Sequence, residues 1–390
     1  AAIPRSCSMR MTTEGLSPIP YAPAVAPVRP QPMGSTDFAQ APFIVIWEVT
    51  RACALACLHC RASAIPRRNP HELTTEEGFR LIDQVRAFGD PPPLFVLTGG
   101  DPMRRPDLVD LVRYASDAGL SVALTPSGTA AVTHKRLAEL QAAGLKRVAV
   151  SLDGPNAETH DAFRRVRGSY AWTMKIIEAV TELGMPLQIN TTIGRLTYPH
   201  LEAMIERVAE LPIALWAVFF LIATGRGAAL DQIDAEECER VLNVLYDLAP
   251  AVPFGIKTTE APHYHRLAAQ RARLASSAVV TAAPRQRHPR ARRSVTDGNG
   301  FVFIDHIGQI CPSGFLPMVC GSVRTDSVVR VYREHLLFVQ LRDIDGFEGK
   351  CGRCEFRHVC GGSRARAYSA TGSPFGSDPL CAYEPAEGDL

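Results

Sequence analysis

The stretch "RACALACLHCRASA", residues 51–64, places three cysteines within eight positions: Cys53, Cys57 and Cys60. A structural zinc site is closed by four ligands. The nearest further ligand is His59, and a histidine that directly precedes Cys60 can hardly share one metal ion with it. Cysteine thiolates are the usual ligands of iron–sulfur clusters, and a cluster held by three of them keeps one iron open for another molecule. The spacing therefore favours an iron–sulfur cluster over zinc.

The chain has the size and composition of a folded protein with two parts. Its 390 residues are 46% hydrophobic, enough to bury a sizeable core, and we expect one large domain and a smaller one. A formal net charge of +2 gives no general reason to expect binding to nucleic acid or to a membrane. Residues 1–40 carry seven prolines in their first 32 positions and lack the apolar run of a signal peptide. They are predicted to be a mostly disordered leader of a cytoplasmic protein.

The chain contains eleven cysteines, and most of them fall in two groups. Three lie at 53–60 and six between 311 and 381, whereas Cys7 and Cys238 stand alone and are interpreted as a leader thiol and a small buried hydrophobe. Without a secretion signal, grouped cysteines indicate metal binding rather than disulfides, because the cytosol keeps thiols reduced.

Strands and helices alternate along most of the chain. Six apolar or β-branched runs are typical of buried parallel strands, at 44–49, 94–99, 121–127, 147–153, 187–193 and 216–222. Helical patterns follow them, at 73–89, 106–118, 133–143, 171–183, 199–210 and 234–248. In the first of these helices, Thr74 and Glu77 are spaced as a capping box.

Six βα units in series predict an α/β fold, a partial (β/α)6 TIM barrel, with a doubly wound sheet as the alternative. The barrel is expected over residues 41–250, followed by a linker with a basic run at 251–297 and a small cysteine-rich domain at 298–390.

Polar and glycine-rich segments follow the predicted strands. In a parallel barrel the active site lies at the carboxyl ends of the strands, so these segments should meet at one rim. Besides the three-cysteine segment they are "TGGDP" (98–102), "PSGT" (126–129), "SLDGP" (151–155), Asn190 with its neighbours, and "ATGRG" (223–227). Each one alone is a weak signal, but their shared place is a stronger one.

Two of these segments together resemble a known family. Cys53-x3-Cys57-x2-Cys60 after the first strand, with the Gly-Gly-Asp-Pro run of 99–102 after the second, closely resembles the radical SAM superfamily over roughly residues 42–385. The resemblance implies a [4Fe–4S] cluster whose open iron binds S-adenosylmethionine. One electron then cleaves the sulfonium to a 5′-deoxyadenosyl radical, which abstracts hydrogen from the substrate.

The resemblance also implies contacts to the methionine part of S-adenosylmethionine. Gly99, Gly100 and Asp101 would hold the amino group, although the family more often has Glu at the position of Asp101. Ser151 and Arg164 resemble the residues that meet the carboxylate, which a guanidinium can bind through two hydrogen bonds.

Three further positions resemble contacts to the nucleoside. Asn190 and the loop of Gly225 match positions near the ribose and adenine. His59 stands where the family usually has an aromatic residue, and its ring could pack on adenine. An exposed loop histidine with no such role is the alternative for His59.

The C-terminal cysteines predict a second metal site. Cys351-x2-Cys354-x5-Cys360, with Cys381 beyond, supplies four thiolates and resembles the SPASM extension of radical SAM enzymes, which binds auxiliary [4Fe–4S] clusters. Zinc remains an alternative for four thiolates.

A full SPASM extension binds two auxiliary clusters, and this sequence departs from that pattern. Cys311 and Cys320 could ligate the other cluster, but residues 361–366, "GGSRAR", lack the cysteine expected there. We therefore predict one auxiliary cluster.

The substrate is suggested by four short segments. "WEVTRAC", "HCRASA", "PSGFLP" and "CGGSRARAY" resemble the branch that remodels tetrapyrrole side chains in heme and heme d1 formation. This implies hydrogen abstraction from a propionate, and loss of carbon dioxide or of the side chain. Basic places that could receive propionates are 285–293, with five arginines, and Arg364 with Arg366. A solvated linker is favoured for 285–293.

Two other functions remain open from the sequence. A radical enzyme of this kind could instead modify a ribosomally made peptide, and a protein with structural zinc could be a binding module. Residues 258–266, with Glu260, His263 and His265, could project toward the barrel mouth or form a surface loop. A radical enzyme would need a low-potential electron donor such as flavodoxin or ferredoxin.

Overall fold

The computed structural model describes residues 37–278 and 295–386. Its strands form one sheet in the order β10-β9-β8-β1-β2-β3-β4-β5-β6-β7. The strands are β1 Ile44–Thr50, β2 Leu94–Gly99, β3 Val122–Leu124, β4 Leu145–Ser151, β5 Leu187–Ile193, β6 Leu215–Phe220, β7 Gly255–Thr259, β8 Phe301–Ile304, β9 Gln309–Cys311 and β10 Gly321–Ser322.

The strand order confirms the partial barrel. From β1 to β7 each strand pairs in parallel with the next one in sequence, and β8 pairs in parallel with the free side of β1. A doubly wound sheet reverses its strand order at a switch point, and no such reversal occurs in the described sheet, so that alternative is wrong. β7 and β8 end the parallel run without pairing, which leaves the barrel open.

The parallel sheet is larger than the six predicted strands. β7 and α8, His263–Ala278, both lie inside the range 251–297 that the sequence assigns to a linker. The sequence of β7, "GIKTT", contains one large apolar residue, because this strand lies at the open end and is only partly covered. The basic run at 285–293 lies outside the described residues.

Helices cover one face of this sheet. They are α1 Thr75–Arg86, α2 Leu108–Asp117, α3 His134–Ala142, α4 Ala157–Arg164, α5 Ser169–Glu182, α6 Leu201–Ala209, α7 Ala235–Leu248 and α8, and in the C-terminal part α9 Val328–Glu334, α10 Leu336–Arg342, α11 Gly349–Arg353 and α12 Arg364–Thr371. The capping box of Thr74 and Glu77 is present at the start of α1, so this prediction is confirmed. The sequence analysis did not predict α4.

Strand β5 shows which side of the sheet the helices cover. Its odd-numbered residues, Leu187 to Ile193, are buried in the core with the helices, whereas Gln188, Asn190 and Thr192 between them are only half-buried. Alternate residues of a strand point to opposite faces. The half-buried residues therefore mark the inner face of the barrel.

The C-terminal part packs on the barrel. Strands β9 and β10 continue the sheet beyond β8 in antiparallel fashion. An apolar cluster joins Ile222, just after β6, to Leu316, Leu337, Leu341 and Ala365. Within the described residues, no helix has both the length and the apolar character to cross a membrane.

Candidate active site at the cysteine loop

The three-cysteine segment forms a loop that closes on itself. We call residues 51–65 the cysteine loop. The amide of Cys53 donates to the carbonyl of Ile65 at 2.9 Å, and the amide of Ile65 donates to the carbonyl of Arg51 at 3.0 Å. Cys53 and Cys57 are buried in a small apolar cluster with Leu55, and Cys60 packs against it. The loop thus brings the three cysteines together at the carboxyl end of β1.

Each of the three sulfurs has a hydrogen-bond donor. The donors are the amide of Leu55 to Cys53 at 3.3 Å, a guanidinium nitrogen of Arg164 to Cys57 at 3.5 Å, and the amide of Ala64 to Cys60 at 3.4 Å. Donors aimed at sulfur stabilise a thiolate and tune a cluster that it ligates. These donors would stabilise thiolates at the three positions, whereas burial raises the pKa of the Cys53 thiol.

Gly99 and Gly100 let the end of β2 lie directly against the cysteine loop. A Cβ atom on Gly100 would be 2.6 Å from the carbonyl oxygens of both Arg51 and Ala52, and one on Gly99 would be 2.3 Å from that of Thr50. These neighbours are backbone atoms and cannot turn aside. The two glycines are therefore required for the close approach of the two segments.

Asp101 lies next to these glycines with its side chain turned into the protein. It is fully buried, and its carboxylate accepts hydrogen bonds from the amide of Met103 at 3.2 Å and from the hydroxyl of Thr129 at 2.8 Å. Its own amide donates to Ala52 at 2.7 Å. Burial raises the pKa of the Asp101 carboxyl. Both oxygens of the Asp101 carboxylate therefore accept hydrogen bonds from within the protein.

Ser127, after β3, is a site residue that the sequence analysis did not single out. Its hydroxyl donates to the carbonyl of Gly100 and lies 3.4 Å from the sulfur of Cys53. The segment "PSGT" was assigned to the rim, and this contact shows which of its residues reaches the cysteines.

Ser151 and Asn190 are neighbours on the inner face. Ser151, the last residue of β4, is directly paired with Asn190, in the middle of β5, and both are half-buried. The side-chain oxygen of Asn190 accepts a hydrogen bond from the side-chain amide of Gln188 at 2.7 Å. The structure brings these two predicted contacts together.

Arg164, at the end of α4, is used within the protein. It is buried and forms an ion pair with Asp153, besides its bond to the sulfur of Cys57. Burial lowers the pKa of Arg164, but Asp153 and Cys57 raise it more, so the net shift is upward. Asp153 also accepts the amide of Thr192 at 2.7 Å. The sequence analysis did not identify Asp153, which holds Arg164 against the cysteine loop.

His59 stacks on Phe163 within the protein. The ring centroids are 4.4 Å apart and the rings are 7° from parallel. Its Nδ1 atom is buried without a hydrogen-bond partner among the described residues. Burial lowers the pKa of His59 to about 3, so the ring is neutral at neutral pH. The alternative of an exposed loop histidine is wrong.

The loop after β6 ties itself to the cysteine loop. Gly225 has a φ of +55°, and a Cβ there would be 2.2 Å from the carbonyl oxygen of Arg61. The next residue, Arg226, donates to the carbonyls of Cys57 at 2.8 Å and Ala64 at 2.9 Å. The sequence analysis named Gly225 but missed Arg226, which makes two side-chain contacts.

A buried ion cluster ties the other side of the loop to β8. Arg61 pairs with Glu48 of β1 at 2.9 Å and lies over the ring of Phe303 at 4.5 Å. His306 contacts the other oxygen of Glu48 at 3.0 Å. Burial raises the pKa of Glu48, but Arg61 and His306 outweigh it and hold that pKa below its usual value.

The four C-terminal cysteines line one cavity. Cys351, Cys354, Cys360 and Cys381 surround it together with cationic side chains that include Arg266 and Lys350. Among residues 37–278 and 295–386, no three His, Cys, Asp or Glu side chains are close enough to hold a single metal ion. A zinc ion needs its sulfurs within about 2.3 Å of one centre.

Cys311 and Cys320 lie apart from that cavity. They occur at the hairpin of β9 and β10, and neither lines the cavity of the other four cysteines. The thiol of Cys320 donates to the carbonyl of Met318 at 3.5 Å. Burial raises the pKa of both thiols to about 12.

Arg364 and Arg366 are structural, which corrects their assignment as a place for propionates. Both are 1% exposed. Arg364 donates to the carbonyls of Gly376 and Pro374 and, at 3.4 Å, to the sulfur of Cys351. Arg366 pairs with Asp378 at 3.2 Å. Their donors are already engaged within the protein.

Most of the segment 258–266 packs inside the protein, whereas His265 is exposed. The carboxylate of Glu260 accepts a hydrogen bond from the hydroxyl of Ser363, and His263 is buried beside Asp378 and lines the cavity of the four cysteines. Burial, together with Asp297 nearby, raises the pKa of Glu260 to about 8. Residues of this segment thus join the barrel to the C-terminal part.

Comparison with known proteins agrees with this geometry. The family model described as "Radical SAM superfamily" matches residues 47–208. A protein named AdoMet-dependent heme synthase, from Oleidesulfovibrio alaskensis, is 41% identical over 344 residues, covering 88% of this chain and 87% of the relative. Another of that name, from Methanosarcina barkeri, is 37% identical over 347 residues, covering 89% and 98%.

A solved structure shows the same fold. SuiB of Streptococcus suis, bound to S-adenosylmethionine, superposes with a TM-score of 0.66 at 16% identity, over 88% of this chain and 78% of that chain. At this identity the likeness concerns the fold alone.

Proposed function

The chain belongs to the radical SAM superfamily, and on that premise we propose that it removes a hydrogen atom from a propionate side chain of a tetrapyrrole in heme formation. Loss of carbon dioxide then leaves a vinyl group, and the one remaining electron passes to a one-electron acceptor. One observation carries this proposal. Two relatives named AdoMet-dependent heme synthase, from a bacterium and an archaeon, match this chain at 41% and 37% identity over nearly nine-tenths of its length.

Cys53, Cys57 and Cys60 are proposed to ligate the [4Fe–4S] cluster. When bound, the cluster and S-adenosylmethionine supply the one-electron cleavage that yields a 5′-deoxyadenosyl radical for hydrogen abstraction. The support from this chain is that each of the three sulfurs has a hydrogen-bond donor. Their apolar surroundings exclude water from the same place.

The residues proposed to contact S-adenosylmethionine fall into two groups. Ser151 and Asn190 present half-buried polar groups on the inner face, close to the rim, and are proposed to bind it directly. The segments of Gly99 with Gly100 and of Gly225 border the cysteine loop and are proposed to shape the pocket with their backbone. His59, within the cysteine loop, is proposed to shape it with its ring.

Asp101 and Arg164 were expected to contact S-adenosylmethionine with their side chains. Both side chains have partners within the protein, since Asp101 holds Thr129 and Arg164 holds Asp153 and the sulfur of Cys57. We propose that they act mainly by orienting the cysteine loop and the segment after β2.

The C-terminal cavity is proposed to hold one auxiliary [4Fe–4S] cluster through Cys351, Cys354, Cys360 and Cys381. Support comes from the four sulfurs lining one cavity and from Arg364, whose guanidinium reaches the sulfur of Cys351 at 3.4 Å. Cys311 and Cys320 are not proposed as ligands, since they lie outside this cavity.

The electron is proposed to come from a flavodoxin or ferredoxin in the cytoplasm. All ten described cysteines are free thiols, which suits a reducing compartment. A peptide substrate is not favoured, because the relatives at 41% and 37% identity are named for heme synthesis. A structural zinc module is not favoured either, because the chain belongs to the radical SAM superfamily.

Anaerobic turnover tests this function. The reconstituted protein is incubated with dithionite, S-adenosylmethionine and an iron porphyrin with four propionates, and products are identified by mass spectrometry. We expect deoxyadenosine together with a porphyrin that has lost carbon dioxide and hydrogen.

Variants separate the parts of this proposal. Cys57→Ala should abolish deoxyadenosine release, while Cys238→Ala, at a buried lone cysteine of α7, should not. Release by Cys57→Ala at the wild-type rate would exclude the cluster assignment. Deoxyadenosine formed beside an unchanged porphyrin would exclude the tetrapyrrole substrate.

A further inference from the structure

Two cationic side chains lie on the inner face of the barrel, Arg147 in β4 and Lys257 in β7. Lys257 is paired with Ala217, Ala217 with Asn190, and Asn190 with Ser151. Directly paired residues of neighbouring strands point to the same side of a sheet. Lys257 therefore shares the inner face with the two polar residues of the rim.

The buried neighbours in sequence confirm this direction. Trp216 and Val218, on either side of Ala217, are 0% exposed and belong to the core beneath the helices. In β4, Val148 and Val150 are likewise 0% exposed, so the alternate residues, including Arg147, face inward.

Neither cation has a protein partner. Across residues 37–278 and 295–386, no hydrogen bond or ion pair involves the side chain of Arg147 or of Lys257, whereas most arginines near the cysteines are paired. A buried cation without a partner is costly unless a ligand or water compensates it, which applies to the half-buried Arg147, whereas Lys257 is exposed and solvated.

Both cations are deep in the protein and still accessible. Burial lowers the pKa of Arg147 and that of Lys257, yet Lys257 is exposed to solvent and Arg147 is half-buried. A side chain surrounded by protein and reached by water lines an internal space. Four inward-facing residues around them are small, namely Ala123, Ala149, Ala217 and Gly255, while Leu215 and Gln188 are larger neighbours on the same face.

The nearest carboxyl does not neutralise this charge. Glu260, just after β7, is the one acidic group that raises the pKa of Lys257, and Arg147 lowers it. The pKa of Glu260 is itself raised to about 8 by burial, so at pH 7 this carboxyl is mostly protonated. The inner face thus carries two positive charges and calls for an anionic ligand.

We propose that Arg147 and Lys257 bind carboxylates of the substrate's side chains inside the barrel. This inference rests on the proposed function, because a tetrapyrrole with propionates supplies several carboxylates on one rigid ring. A guanidinium binds a carboxylate through two parallel hydrogen bonds, and an ammonium binds it as a point charge.

The two cations lie at different depths in the barrel. Arg147 precedes Ser151 by four residues, which is about 13 Å along a strand, so it lies away from the rim. Lys257 lies level with Ser151 and is three strands away from it, which is about 14 Å measured along the sheet. Carboxylates held here belong to side chains that stay in place while another one, near the cysteine loop, reacts.

S-adenosylmethionine also has a carboxylate, so the test has to tell the two sources apart. Binding of metal-free coproporphyrin III, a fluorescent porphyrin with four propionates, is measured by fluorescence titration on the anaerobic holoenzyme, alongside its tetramethyl ester. Affinity for S-adenosylmethionine and its substrate-free cleavage are measured on the same samples. The variants are Arg147→Gln, Lys257→Gln and, as a matched control, Lys146→Gln at the exposed neighbour of Arg147.

The expected result is a loss confined to the free acid. Arg147→Gln and Lys257→Gln should each weaken coproporphyrin binding by about tenfold, the effect of one charged hydrogen bond. The ester should bind all proteins alike, and Lys146→Gln should equal wild type. Unchanged S-adenosylmethionine affinity and cleavage in the variants would show that they are folded.

Three other results would overturn the inference. If both variants bind coproporphyrin as wild type does, the cations do not hold its carboxylates. If they lose S-adenosylmethionine affinity instead, the carboxylate is that of the cofactor. If wild type cleaves S-adenosylmethionine but binds no porphyrin, the proposed function itself fails, and this assignment falls with it.

Discussion

Replacing Arg226 with Met should loosen the cysteine loop while leaving the rest of the barrel unchanged. The guanidinium donates to the carbonyls of Cys57 and Ala64, which lie on opposite sides of Cys60 in the loop. Methionine keeps the length and apolar stem of the side chain but removes both donors. Two loop carbonyls then each lose a charged donor, and that of Cys57 keeps only the amide of Cys60, at 3.4 Å.

The size of the effect follows from these two bonds. A hydrogen bond to a charged group contributes about 1.5–3 kcal/mol, and because Arg226 is half-buried we take the lower value for each, about 3 kcal/mol in all. At about 1.4 kcal/mol per factor of ten, opening of the loop should become about 100-fold more frequent.

Hydrogen exchange followed by mass spectrometry measures this opening. In reduced, cluster-free protein, peptides that contain Cys53, Leu58 and Ile65 should exchange about 100-fold faster in the variant, since opening limits their exchange. The amides of these residues are hydrogen-bonded within or next to the loop. Peptides from α1 should be unaffected.

Arg113→Met is the matched control. Arg113 pairs with Asp110 at 3.3 Å on the surface of α2, with both side chains more than half exposed, so its loss should change nothing in the loop. Equal protection of the loop in Arg226→Met and wild type would refute the reasoning. It would mean that other contacts hold the loop closed without this arginine.

Three further predictions concern the fold around the site. Thr74→Ala removes one half of the capping box of α1 and should lower the free energy of unfolding by about 1 kcal/mol, measured with urea. Gly100→Ala places a Cβ 2.6 Å from two carbonyl oxygens of the cysteine loop, so reconstituted protein should lose iron. Gly184→Ala, where no atom lies within 4 Å, should be strained but keep its iron, and equal iron in both would contradict this. Because the pKa of Glu260 is raised from 4.5 to about 8, the folded state holds this proton more tightly than the unfolded chain, and stability is lost as the pH rises through that window. Glu260→Gln should therefore gain stability relative to wild type from about pH 5 to about pH 8, and a constant difference in urea midpoint would exclude the shift.

Local patterns in the sequence were sufficient for the strands that helices cover. The six apolar or β-branched runs correspond to β1 to β6 with shifts of up to three residues at their ends, because the residues that face the helices are buried and leave an apolar signal. The same holds for α1, whose capping residues signal its start. Cysteine spacing and glycine runs likewise pointed to the segments that meet at the rim.

Partners distant in sequence could not be found in this way. Arg226 meets Cys57 across 169 residues, and His306 meets Glu48 across 258. Nothing in the spacing of these residues signals the contacts. The direction of the Asp101 side chain also depends on a tertiary contact, because its carboxylate is held by the hydroxyl of Thr129 on the next loop.

The sequence predicts propionate binding at the wrong cations. Grouped arginines, at 285–293 and at Arg364 with Arg366, are conspicuous in the sequence, whereas the proposed site uses the single cations Arg147 and Lys257. A buried arginine close to glycines and carbonyls is held by the backbone, however, and Arg364 and Arg366 have no donor to spare for a ligand. Arg147 and Lys257 are single cations at inward positions of strands, and among the described residues no hydrogen bond or ion pair involves their side chains. In an open barrel the inward-facing residues line the space that receives the substrate, so an isolated Lys in "GIKTT" carries more functional information than a cluster of arginines elsewhere.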